Sequence, residues 1–180
     1  MKFCSNCAAA VNYVVPEGDN LPRHICISCG TIHYQNPKIV AGCIPMWGDQ
    51  VLICRRAIEP RYGKWPLPAG FMENGETVAQ AASRETIEEA EARVTDLQLY
   101  GLFNIPHVNQ VYIMFRGKLE APSFGPGDES LEVRLASEDE IPWDELAFPV
   151  IHRTLDLFFK DRKLDSYGSH MLDIEPMKKL

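Results

Sequence analysis

Five charged side chains recur at fixed intervals in one short segment: Glu76, Arg84, Glu85, Glu88 and Glu89. On a helix, Glu85, Glu88 and Glu89 occupy positions i, i+3 and i+4, so their carboxylates share one face within about two turns. Like charges at that spacing repel by a few tenths of a kcal/mol per pair on an open surface, and by more in a cleft. A sequence that sets three there either tolerates a solvated acidic face or holds a cation. Two neighbours favour the cation. The extended stretch Leu67-Pro68-Ala69 feeds a glycine-containing loop into the helix, which sets its acids beside a cleft, and Arg84 can orient one carboxylate through a bidentate pair. Three oxygen ligands, completed by water and a substrate phosphate, suit Mg²⁺ or Mn²⁺.

A second constellation lies at the start of the chain. Cys4-x2-Cys7 and Cys26-x2-Cys29 are separated by eighteen residues. Two such pairs at this separation read as a tetrahedral zinc site: each forms a tight knuckle with its thiolates pointing one way, and the loop brings the knuckles around one ion. Gly30 supplies the positive backbone angle at the end of the second knuckle. The alternative, a pair of disulfides, fits poorly with a chain read as cytoplasmic. Four thiolates fill the coordination sphere, so this zinc is expected to be structural, and it supplies folding energy that about thirty residues cannot find in a core of their own. Cys43 and Cys54 stand alone in apolar runs and are expected as buried strand residues.

Composition bounds the framework that must position these groups. The 180 residues are 46% hydrophobic and 24% charged, the mix of a globular chain with a real core. The longest nearly apolar stretch, Ile39 to Trp47, is far short of a membrane span, and no basic, apolar leader opens the sequence, so no membrane partner is expected. With 18 Lys+Arg against 25 Asp+Glu the formal charge is −7, and the ribbon region carries few basic residues beyond Lys2 and Arg23. No nucleic-acid partner is expected on that balance. An acidic chain that handles phosphates must draw positive charge from metal ions.

The patterning divides the chain into a ribbon over 1–34, a domain over 35–165 and a tail over 166–180. Ile39–Met46 and Gln50–Cys54, joined by Gly48-Asp49, form a hairpin. Thr77 and Gln80 make a capping box for a helix from Val78 to about Ala92. Leu97–Tyr100, Val111–Arg116 and Leu131–Leu135 read as strands, Glu120–Ser130 as a Pro/Gly/Asp-rich loop, and Pro149 to Lys160 as an amphipathic helix. From Leu164 patterning fades, and the end is expected to fray.

The run Gly70-x5-Glu76-x7-Arg84-Glu85-Thr86-x-Glu88-Glu89 resembles the box of the Nudix hydrolases at every charged position and at the first glycine. It departs at the helix end, where Glu91 replaces the family's late glycine and Ala92 the bulky aliphatic. The resemblance implies an α/β fold, an α/β/α sandwich with a mixed sheet preceded by a small zinc ribbon. It also implies metal-dependent hydrolysis of a nucleoside diphosphate linked to another group. On that analogy Glu85, Glu88 and Glu89 bind the divalent metals together with the Gly70 carbonyl, Arg84 holds Glu85 in place, and Glu76 is a supporting salt-bridge partner. A homodimer is also implied. The general base is Glu85, Glu129 or Glu132. Glu132 lies on a period-two strand, pointing either toward the cleft or outward as an ordinary strand carboxylate.

Zinc ribbon and box together, with Tyr34-Gln35-Asn36-Pro37-Lys38, Leu67–Phe71 and Ile141-Pro142-Trp143, are similar to members that cleave FAD or ADP-ribose and release AMP. NADH pyrophosphatases share the ribbon, but their Ser-Gln-Pro-Trp-Pro-Phe-Pro signature is replaced here by Phe103-Asn104-Ile105-Pro106-His107-Val108. Trp65, Phe103, Tyr112 and Trp143 carry rings able to stack on a base, although strand and loop aromatics are commonly core. Arg55, Arg56 and Arg61 are able to meet phosphates, although solvated arginines are common. The rival class is a catalytically silent regulator that binds RNA or protein through its ribbon; the intact box and sparse basic residues argue against it.

Overall fold

Residues 1–176 are described by a computed structural model, in which the chain divides into one unit over Met1–Asn36 and another from Pro37 onward. In the first unit three short strands, β1 (Val11–Val14), β2 (Arg23–Cys26) and β3 (Ile32–His33), pair antiparallel in that order. The two cysteine pairs sit on tight turns. The first closes with Ala8 N donating to Cys4 O at 2.9 Å, the second with Gly30 N donating to Cys26 O at 3.2 Å. Both closing residues are left-handed, with φ 60° at Ala8 and 71° at Gly30. Ala8 accepts a backbone angle that glycine adopts freely.

The second unit is built on a seven-stranded mixed sheet. Its strands are β4 (Lys38–Trp47), β5 (Gln50–Arg56), β6 (Ala69–Phe71), β7 (Val94–Ile105), β8 (Gln110–Leu119), β9 (Ser130–Ala136) and β10 (His170–Asp173). Across the sheet they run β10-β7-β8-β4-β5-β9, with β6 on the flank of β4. The expected hairpin forms at Gly48-Asp49, but β4 and β5 stay paired only through Met46–Val51 and Trp47–Gln50. Beyond that they part, and β6 pairs with β4 at Val40, Ala41 and Gly42. That splayed opening underlies the site.

Alternation along β5 shows the layers. Val51 and Ile53 join a core with Tyr100, Phe103, Leu155 and Phe158, under helix α2 (Pro149–Lys163). Leu52 and Cys54 join the opposite cluster with Ala90 and Ala92, under helix α1 (Val78–Ala90). Period two sends neighbouring side chains to opposite faces, so a helix covers each face: an α/β/α sandwich. Cys43 and Cys54 are fully buried in β4 and β5. Trp65 and Phe103 are core, while Tyr112 and Trp143 are partly buried against it.

Two expectations are corrected. Helix α1 stops at Ala90 rather than near Ala92, because Glu91 turns left-handed (φ 48°, ψ 28°) and donates its N–H to Ile87 O and Thr86 O. Past Leu164 the described residues do not simply fray, and residues 177–180 lie outside them. Residues His170–Asp173 pair in parallel with Gly101–Asn104 of β7, and Ile174 is buried. Among the described residues no helix is long and apolar enough to cross a membrane.

Candidate active site

The capping box starts α1 firmly. Gln80 N donates to Thr77 Oγ1 at 3.2 Å, and Thr77 N donates to Gln80 Oε1 at 2.8 Å. Two turns on, Arg84 gathers the charges. Its Nε and Nη2 form a bidentate pair with Glu76 at 3.1 and 2.8 Å. Nη1 donates to Glu85 Oε1 at 2.7 Å and to Glu88 Oε2 at 2.8 Å, and Nη2 also reaches Phe71 O at 3.1 Å. The carboxylate in the bidentate pair is therefore Glu76, and Glu85 is held through a single nitrogen. Arg84's hydrogen bonds hold the Glu76 carboxyl below the usual carboxylate range and keep the guanidinium charged.

The helix does not oppose an acidic face to a packing face. Glu85 and Glu89 are buried with Ala81, Ala82, Thr86 and Ala90, and only Glu88 of the three acids is exposed. Burial, reinforced by the charge of Glu85, pushes the Glu89 carboxyl up to about 8. Burial also raises Glu85, against the pull of Arg84. Glu89 accepts from Ala69 N at 3.3 Å, and the Glu85 carboxyl lies on the Cα of Gly70, where a methyl group would overlap it. Glycine in β6 is thus the condition for seating that carboxylate.

These side chains floor a cleft of about 1030 Å³, at the upper end of small-molecule sites. Its walls come from Arg56, Arg61, the stretch from Ile105 to Tyr112, Phe148–Val150 and Ile174. Asp128 and Glu129 enter from the Glu120–Ser130 loop. Gly125 N donates to Ala90 O at 2.9 Å and Gly127 N to Glu89 O at 3.3 Å, so the loop caps the last carbonyls of α1. Gly127 packs on the backbone of Glu88 with no room for a Cβ. That contact brings Glu129 to the carboxylates, and among the described residues Glu129 has no salt-bridge partner.

Glu132 does not join them. It stands opposite Arg55 on β9, half exposed, 3.8 Å from that guanidinium. The outward alternative is the one observed. Arg56 lines the cleft, its guanidinium 5.4 Å from the centre of the Phe148 ring. Residue type alone does not single out Ile174 or Phe148; the alternation of His170, Leu172 and Ile174 is the sequence signal for the former.

A hard divalent cation suits the donor set of three carboxylates and the Gly70 carbonyl. Glu85 and Glu88 at present share one guanidinium nitrogen, so a positive charge already stands between them. In the first unit the cysteine Sγ atoms all lie within 4.8 Å of one another. Cys7–Cys26, Cys7–Cys29 and Cys4–Cys29 separations of 3.4, 3.5 and 3.8 Å compare with about 3.8 Å for the edge of a tetrahedron with zinc–sulfur bonds of about 2.3 Å. His33 Nε2 and Thr31 Oγ1 hydrogen-bond the Sγ atoms of Cys4 and Cys29 at 3.3 and 3.1 Å.

The family models match both units: the NUDIX domain over residues 36–156 and the zinc-ribbon Nudix N-terminal family over residues 2–35. The chain belongs to the Nudix hydrolase family. It is 54% identical to a NUDIX hydrolase from Nitrosomonas europaea of known crystal structure, with a TM-score of 0.94 over 98% of this chain and 100% of that one. It is 26% identical over 157 residues to the NAD-capped RNA hydrolase NudC of Chromobacterium violaceum, covering 86% of this chain and 57% of the relative. The NudC of Pseudomonas aeruginosa strain PAO1 is 27% identical over 166 residues, 89% of this chain and 56% of the relative. The chain thus spans little more than half the length of these curated relatives. An ADP-ribose pyrophosphatase from Streptococcus suis, 18% identical with a TM-score of 0.62 over 76% of this chain and 99% of that one, shares the fold.

Proposed function

We propose that the chain is a metal-dependent pyrophosphohydrolase that cleaves a nucleoside diphosphate linked to another group, with FAD or ADP-ribose as leading substrates and AMP as a product. The observation that carries this reading is the seating of Glu85 and Glu89, buried and raised in pKa, beside Glu88 on the floor of a large cleft. Such carboxylates call for positive charge. Glu85, Glu88, Glu89 and the Gly70 carbonyl are the proposed ligands for Mg²⁺ or Mn²⁺, and Cys4, Cys7, Cys26 and Cys29 those for structural zinc. A divalent ion bound there would neutralise the diphosphate and lower the pKa of an attacking water.

The chain's own residues divide the remaining work. Glu76 anchors Arg84, which keeps Glu85 oriented when Glu88 turns away to its ligand role. Glu129, without a salt-bridge partner among the described residues, takes the water's proton as the new P–O bond forms and the bridging P–O bond breaks to release AMP and the phosphomonoester of the other group. Arg56 is placed to meet a phosphate oxygen. The reading includes a reducing cytoplasmic setting, in which four thiolates stay available to zinc, and a homodimer.

A second reading is favoured by the curated relatives. Those relatives are NAD-capped RNA hydrolases, which supports NADH, or an NAD cap on RNA, as substrate, and bears against the expectation of no nucleic-acid partner. The net charge of −7 weighs the other way, toward a free dinucleotide. Both readings share one chemistry and are separated by turnover with Mg²⁺ or Mn²⁺ across FAD, ADP-ribose, NADH and NAD-capped RNA. Release of AMP from FAD or ADP-ribose, lowered by orders of magnitude in Glu88→Gln, supports the first. Preference for NADH or capped RNA supports the second. Tight RNA binding with no turnover of any of them overturns both.

A further inference from the structure

The cleft has two chemically different ends. Glu85, Glu88, Glu89 and Glu129 line it at the β6 side, while Ile105 of β7 and Ile174, just past β10, line it at the far strands. Sheet order separates them. From β6, under Glu85, to β10 are four strand spacings, about 19 Å along the sheet. Inorganic pyrophosphate held at the carboxylates does not reach the apolar end; two nucleosides joined through a diphosphate do.

The apolar end depends on the last described segment of the chain. Gln110 stands opposite Ile105, and Asp173 opposite Asn104 in a parallel pair, so Ile174 falls level with Ile105. Gln110, Ile105 and Ile174 therefore stand side by side on one face and all border the cleft. Several contacts fix the segment. Ile174 N donates to Asn104 O at 2.8 Å, and Asn104 Nδ2 to Asp173 Oδ1 at 2.9 Å. His170 Nε2 lies 2.7 Å from Asp161 Oδ2, the oxygen that accepts the Tyr100 hydroxyl at 3.0 Å. Alternation then sends Met171 outward, 75% exposed, and Ile174 inward, 8% exposed.

We infer that the C-terminal segment, docked as β10, forms the wall that receives the heteroaromatic group farthest from the carboxylates, and that Ile174 determines specificity for it. Ile105 and Ile174 make an aliphatic wall for a planar ring, and Gln110 offers an amide to its edge. The inference rests on the proposed function for the identity of the cleft as a dinucleotide site.

Calorimetric titration of the full chain with ADP-ribose and FAD, without added divalent ion, reads binding apart from turnover. Ile174→Ala is expected to weaken both about tenfold, Ile174→Val by less, and Met171→Ala not at all. Affinity for inorganic pyrophosphate is expected to stay equal across the set. With metal, KM rises by the same factor in Ile174→Ala while kcat stays within about twofold. Equal dinucleotide affinity in all four proteins, or no dinucleotide binding by the wild type, overturns the inference. Graded affinities without hydrolysis by the wild type leave the wall standing and sink the proposed function. Hydrolysis with equal affinities does the reverse.

Discussion

Replacing Gly70 by alanine tests the seating of the carboxylates at its tightest point. The added Cβ overlaps the carboxyl group of Glu85, which Arg84 Nη1 holds from the other side at 2.7 Å. Non-bonded carbon atoms settle about 3.5–4.0 Å apart, so the carboxylate must withdraw by roughly 1 Å or more, or β6 must shift on β4. Overpacking of this kind costs about 1–3 kcal/mol of stability. A misplacement of about 1 Å at a reacting centre costs about a hundredfold in rate. Gly70→Ala is therefore expected to fold with a modestly lower Tm and to lose about two orders of magnitude in kcat for AMP release, with KM changed far less. Thermal unfolding and steady-state kinetics on ADP-ribose with Mn²⁺ measure both. A variant with kcat within threefold of the wild type would refute the claim that Gly70 and Glu85 fit one another for catalysis.

Glu129→Gln is expected to lower kcat by about 10²–10⁴, while Glu132→Gln stays near wild type; equal losses in the two would remove Glu129 from its role. Glu91→Gly relieves a left-handed glutamate at the end of α1 and is expected to stabilise the second unit by about 1 kcal/mol, read from urea midpoints; an unchanged midpoint contradicts it. The raised Glu89 carboxyl, at about 8 against an ordinary 4.5, retains a proton that the unfolded chain releases. Without added divalent ion, its contribution is fully present below about pH 4.5 and is lost as pH rises through about 8; urea midpoints should fall over that window, and flat midpoints would count against its burial. Zinc chelation is expected to unfold residues 1–36 and spare the second unit, as followed by amide NMR signals; a ribbon that keeps its dispersed signals after zinc loss contradicts the four-thiolate site.

Local chemistry made much of this legible. Thr77 and Gln80 announce the start of α1, the spacing of Glu85, Glu88 and Glu89 announces a shared site, and two cysteine pairs announce their knuckles. The end of α1 was harder to place. Nothing in the type of Glu91 signals a left-handed residue, because the Gly125 and Gly127 amides that cap the helix come from a loop more than thirty residues on. Glu129 and Glu132 are three residues apart with the same side chain. Only the seating of Gly127 on α1 separates the one in the cleft from the one beside Arg55. The final strand is hard to read because its alternation is brief and one of its two exposed positions carries Met171, an apolar residue, which blurs the period. Its pairing partner lies about seventy residues away in β7, and such long-range pairing leaves little local trace.

A crystal of the chain soaked with Mn²⁺, with anomalous scattering recorded at the manganese edge, asks the central question directly. The expected result is peaks bound by Glu85, Glu88 and Glu89 beside the Gly70 carbonyl, with Glu88 released from Arg84. Carboxylates still clasped to Arg84, with no manganese among them at saturating concentration, would contradict it.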